Sequence, residues 1–207
     1  MKRWPLYAAI AYVVLLFIGL VIVPAAPEVS DSGAKVVRYM QDHADAVRLF
    51  VWLGAWSTVP LVLLIAALRA RLRGTARDVM LLGAVGVVVT TILWTWFLAG
   101  LALHPKALDA ATARTISDIA AYYGPILTVS IVLMIAPIGI AAWRNEGFPK
   151  WLAWVTLVFV IEQSIETITI FGKSGFIEPG GAMNLQLGAG LYLVWIICAG
   201  VAVSRPA

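Results

Sequence analysis

Six apolar runs of about 20 residues each make up most of this chain, and a run of that length crosses a hydrocarbon core about 30 Å thick. They fall near residues 6–24, 46–68, 79–103, 119–142, 151–171 and 183–203. None alternates polar with apolar as a barrel strand does. Lipid also demands backbone groups that are satisfied within the segment, so each run is read as a helix. The expected fold is all-α: a polytopic membrane protein, one six-transmembrane-helix bundle filling residues 1–207 as a single domain. Of the 207 residues, 62% are hydrophobic and 13% charged, against about a quarter charged in soluble domains. That balance leaves no room for a separate soluble domain.

Lys2 and Arg3 ahead of the first run resemble the basic start of a signal peptide, and "PAAP" is loosely like a cleavage site. The run is longer than the roughly 7–15 residues of a signal core, so a retained first span is expected. The single cysteine, Cys198, lies in the last span, which excludes a disulfide framework.

Basic residues set the orientation. Lys2, Arg3, Arg69, Arg71, Arg73, Arg77, Arg144, Lys150 and Arg205 share one side. The other side holds Lys35, Arg38, Arg48, Lys106, Arg114 and Lys173, offset there by acidic residues. The arginines before the third span are the strongest signal, and they put both termini in the cytoplasm. A plasma (inner) membrane, multi-pass location follows. The net charge of +4 therefore reflects topology, and no basic surface interleaved with aromatics points to nucleic acid.

Between the first two spans, Ser30 or Ser32 can cap a helix, and Val36, Val37, Met40 and Ala44 recur at helical spacing. Lys35, Arg38, Gln41 and Asp42 fall largely between them. Two readings stay open: a short amphipathic helix on the outer membrane face, or an extension of the second span.

The most informative stretch is "WVTLVFVIEQSIETITIFGK", residues 154–173, which carries Glu162, Gln163 and Glu166 within a span. Residues four apart share a helix face, and a charged carboxylate at mid-membrane costs at least about 2.5 kcal/mol. Protonation, a partner or a wet cavity must offset this, so that face points into the bundle. Arg48 is the nearest candidate cation, with Lys173 next. At matching depth stand Trp56, Thr91, Trp94, Tyr122, Asn184 and Gln186. Polar side chains concentrate in the outer half, which suggests an outward-opening pocket with aromatic walls. Its expected members are Glu162 and Glu166 as the acid/base pair, Trp56, Trp94 and Tyr122 as walls, and Gln163, Thr91, Asn184 and Gln186 as hydrogen-bonding groups. Lone intramembrane Ser and Thr more often bond to their own helix.

His43 and His104 sit in or beside outer loops and lack metal-ligand spacing, so neither metal nor cofactor is expected. Pro60, Pro125 and Pro137 can kink their spans. Gly83, Gly86 and the "GAG" of 188–190 allow close helix approach. No phosphate loop or nucleophile elbow is present.

The segments "SGAKVVRYMQDH" and "GFPKWLAWVTLV", with the Arg-rich loop after the second span and a Trp-bearing last span, carry a family resemblance. The chain resembles the six-span membrane proteins of actinobacteria that are grouped in domain-of-unknown-function families. That resemblance implies the architecture and transfers no functional residue; "EQSIET" is not part of it.

Three functions are compatible with these residues. The first is a membrane-embedded isomerase, cyclase or epoxide-opening enzyme using split carboxylates on a lipid-soluble small molecule. The second is a small transporter or substrate-binding transport subunit for a hydrophobic or cationic molecule. The third is an accessory subunit of a membrane complex. Membrane lipids, and a homo-oligomer or complex partner, complete the expected contacts.

Overall fold

In the computed structural model, residues 3–205 are described, and among them the chain is helical with no strand. Lys2, counted above with the basic side, lies outside them. Seven α-helices are present: α1 (Trp4–Ile22), α2 (Gly33–Arg69), α3 (Gly74–Leu103), α4 (Ala110–Ala121), α5 (Tyr123–Trp143), α6 (Lys150–Glu166) and α7 (Ala189–Ser204). Six helical segments are long and apolar enough to cross a membrane, with α4 and α5 forming one of them.

The helices pack as a ring in chain order: α1 on α2, α2 on α3, α3 on α5, α5 on α6, α6 on α7, and α7 back on α1. Small residues let the backbones approach. A side chain at Gly83 would strike the α5 backbone at Met134, one at Gly86 would meet Ser130, and one at Gly200 would meet Ala9. Inside the ring, Leu64, Met80, Val87, Ile135, Leu152 and Trp195 belong to one continuous apolar core. Trp195 Nε1 donates to Thr156 Oγ1 across 3.0 Å, so the one polar atom of that indole is satisfied.

Both described chain ends lie at one end of the bundle, where the Leu6 amide donates to Ser204 Oγ (3.1 Å). Arg71 organises this basic end. Its Nη1 donates to Gly147 O (2.9 Å) and its Nη2 to Val203 O (2.9 Å) and Arg205 O (2.5 Å). One guanidinium thus caps the carbonyls that close α7 and holds the turn after α5, a use of the fork that lysine cannot copy. Arg71→Lys is expected to lower the detergent melting temperature by several degrees, while Arg69→Lys, on an exposed position, leaves it unchanged. Equal melting of the two variants refutes the capping role.

At the distal end, α2 is one unbroken helix of 37 residues, about 55 Å at about 1.5 Å per residue. That exceeds a hydrocarbon core of about 30 Å, and its first turns run without interruption into the apolar stretch. They form the extension considered above rather than a separate helix. Ser32 accepts from the Lys35 amide as N-cap. The apolar face carrying Met40 and Ala44 packs on Leu101, Leu108 and Ile116, so protein covers it. Arg114 of α4 ties this layer together through the carbonyls of Glu28 (3.0 Å) and Asp31 (3.1 Å) and an ion pair with Asp118 (2.5 Å).

Candidate functional site

Three spans leave regular α geometry in the same layer of the bundle. α4 ends at Ala121, and α5 restarts after Tyr122. Pro125 has no amide proton to give to the turn before it, which accounts for the break. α6 tightens into a 3-10 segment, Thr167–Phe171, and α7 is preceded by a π-helical turn, Met183–Gly188. π-turns inside helices are frequent at functional sites. Here the three irregular stretches surround one polar cluster.

Glu166 is its centre, only 3% exposed. Gln163 Nε2 donates to Glu166 Oε2 (2.5 Å) and also to Glu162 Oε2 (3.0 Å), so a single amide bridges the two carboxyls. Asn184 Nδ2 donates to Glu166 Oε1 and, more weakly, to Thr169 Oγ1 (3.3 Å). Asn184 Oδ1 in turn accepts from the Gly180 amide (2.9 Å). Two glycines make the space: a side chain at Gly124 would meet the Asn184 amide, and one at Gly188 would meet the Glu166 carboxyl.

No described lysine or arginine pairs with either glutamate. Arg48 is spent on Asp45 (3.4 Å) and the Leu103 carbonyl (3.0 Å), and Lys173 is exposed in the distal loop. Neither is the cation expected for this pair. Glu162 Oε1 and Gln163 Oε1 are buried and accept no hydrogen bond from protein. A buried acceptor left empty costs about 1–3 kcal/mol, so these oxygens mark where a proton, a cation or water is favoured.

Of the sequence-derived members, Glu162, Glu166, Gln163 and Asn184 are brought together as expected. Thr91 and Trp94 meet Tyr123, whose ring stacks on Trp94 at 4.4 Å, and make no described hydrogen bond to the four. Thr91 gives its proton to the Val87 carbonyl (2.8 Å), so Tyr123 is the donor in the 3.4 Å contact between the two hydroxyls. Trp56, Tyr122 and Gln186 are not in the cluster. Trp56 is 54% exposed because the inward face of α2 runs through Leu53, Ser57, Leu61 and Leu64. Tyr122 is 37% exposed at the helix break, and its neighbour Tyr123 takes the inward place. Gln186 lies on the outer side of the π-turn. The groups not assigned to the site were Tyr123, Thr169 and Gly124, while Gly188 provides the close approach expected of it. Thr169, three residues after Glu166, could have been found by helix spacing, whereas Tyr123 and Gly124 lie on another helix and carry no such signal. Ser57, Thr95 and Thr128 bond to carbonyls of their own helices.

Residues 172–182 fold over the distal side, with Gly181 N on Glu178 O (2.9 Å) and Gly180 at φ +72°, a conformation glycine adopts freely. Glu178 in this loop is buried, and burial, with the charges of Glu28 and Asp31 adding to it, raises its carboxyl above the ordinary range. A raised folded-state value means the ionised loop is penalised at neutral pH and relieved as pH falls. Glu178→Gln is therefore expected to raise the melting temperature at pH 7, with the gain shrinking toward acid pH. A loss of stability at pH 7 refutes this.

The fold and cluster define a class: a multi-pass helical membrane protein with a buried carboxylate–amide centre. Comparison with protein-family models, curated proteins and solved structures gives no match to this chain.

Proposed function

We propose that this protein is a small membrane transporter in which Glu162 and Glu166 exchange protons against a hydrophobic or cationic solute. It sits in the plasma membrane with both ends cytoplasmic, as the basic end favours. The observation that carries the reading is Glu166, buried, held by two side-chain amides and facing no described cation. A carboxyl in such a place is neutralised by what it binds, which is how intramembrane acids couple to ions. The orphan oxygens of Glu162 and Gln163 extend the set of acceptors toward an incoming charge. Irregular helix segments beside a mid-membrane site are also what transport proteins use to expose backbone and side-chain ligands.

The enzymatic reading needs an aromatic chamber for a lipid-soluble substrate. With Trp56 and Tyr122 turned outward, less supports it. The test is uptake of tetraphenylphosphonium into liposomes holding the purified protein, under an imposed pH gradient with a pH-sensitive dye. Uptake that follows the gradient, with counterflow of protons, supports transport. Turnover of a membrane-soluble compound without flux replaces it with the enzymatic reading. Flux only with a co-purifying chain replaces it with an accessory role.

A further inference from the structure

The basic end carries a second feature unconnected with the glutamates. Between α3 and α5 lies a half-open hollow of about 760 Å³. It is lined by Arg71 and Arg73, before α3, and Arg144, after α5, together with Val79, Pro137 and Ile140, which lie further along those two helices. Glu146 is the one acidic residue there, so the described lining carries three positive charges against one negative. Arg73 and Arg144 are exposed and take part in none of the described ion pairs, whereas nearby Arg77 pairs with Asp78. Arg71 donates to backbone carbonyls, and no described carboxylate pairs with it. The first turn of α3 adds to the positive potential, since it has no side-chain cap and no acidic residue.

Charge at the helix ends and apolar side chains further along the helices call for an amphiphile with an anionic head. We infer that this hollow binds an anionic glycerophospholipid of the surrounding bilayer, its phosphate between Arg73 and Arg144 and its acyl chain along Val79, Pro137 and Ile140. Basic recesses between membrane helices recognise such headgroups, and guanidinium forks suit phosphate oxygens. A soluble phosphate would leave those apolar side chains uncovered, which is why the membrane is the source. The site lies near the start of α3 and the end of α5, far along α3 from Thr91 and far along α5 from Tyr123, and does not depend on the transport reading.

The test is native mass spectrometry of the full chain released from nanodiscs containing equal phosphatidylglycerol and phosphatidylcholine, combined with melting temperature in detergent. Wild type is expected to retain phosphatidylglycerol selectively and to melt higher with it. Arg73→Gln/Arg144→Gln should lose about tenfold in retention, the scale of one or two charge-assisted contacts, with phosphatidylcholine unaffected. Arg69→Gln/Arg77→Gln removes the same charge at the same end outside the hollow and should retain the lipid. Equal loss in both double variants, or undiminished retention in Arg73→Gln/Arg144→Gln, overturns the inference. Glycerol phosphate, which has no acyl chain, should not raise the melting temperature; if it does so as well as the lipid, a soluble anion is the ligand and the lipid assignment falls.

Discussion

Glu166→Gln is expected to remove proton-coupled flux, by about a hundredfold or more, in a protein that still folds. The substitution keeps the side-chain volume and removes the exchangeable proton. Structurally it is tolerable but not silent. Glu166 now accepts from Gln163 on one oxygen and from Asn184 on the other. A glutamine offers one acceptor and one donor, so one of those two amides would face another donor. A single unmade buried hydrogen bond costs about 1–3 kcal/mol, which leaves a folded bundle with a lower melting temperature. Glu162→Gln should be milder in stability, because its amide oxygen can still accept from Gln163. Any flux that remains in the Glu166 variant should lose its pH dependence. Flux with the wild-type pH profile in Glu166→Gln sinks the transport reading at its centre.

Gly188→Ala is expected to be strongly damaging for a single added methyl. In an ordinary helix the change would help, by up to about 1 kcal/mol, since alanine is the better helix former. Here the added carbon falls on the Glu166 carboxyl. Either the π-turn shifts or the carboxyl leaves Gln163 and Asn184. Overpacking and a broken buried bond together cost about 2–6 kcal/mol. Gly190→Ala, two residues on, meets nothing within 4 Å and should stabilise instead. The opposite signs of these neighbours in one "GAG" are the measurement to make, by thermal unfolding in the same detergent. Shortening the acid, as Glu166→Asp in the Gly188→Ala background, should recover part of the loss. A Gly188→Ala protein as stable as Gly190→Ala would show that the carboxyl is not seated against that glycine.

The bundle was legible because hydropathy and basic loops are properties of whole segments. Six runs became six spanning segments with ends within a few residues at most borders. What hydropathy could not carry was phase. Trp56 and Trp94 look alike in the sequence, and only the face that packs on neighbours separates a lipid-facing indole from one stacked on Tyr123. Pro125 marked a kink, but the resulting exchange of Tyr122 for Tyr123 at the inward position depends on where the backbone restarts. The π-turn at 183–188 has no local signature, and it moved Gln186 outward while keeping Asn184 inward. Glu162, Gln163, Glu166 and Asn184 were legible for a thermodynamic reason. Burying such groups in apolar surroundings is costly enough that they must find one another.

The ring order has a bearing on biosynthesis. Each spanning segment rests on the one made just before it, except that α1 must wait for α7, the last of the described helices to be made. Until then one flank of the nascent barrel of helices stays unzipped, and a chain shortened before residue 189 would never close it. Since the Leu6 amide already touches Ser204, linking residue 205 to residue 3 and opening the chain at the 104–109 loop should yield a permuted protein with the same closed seam.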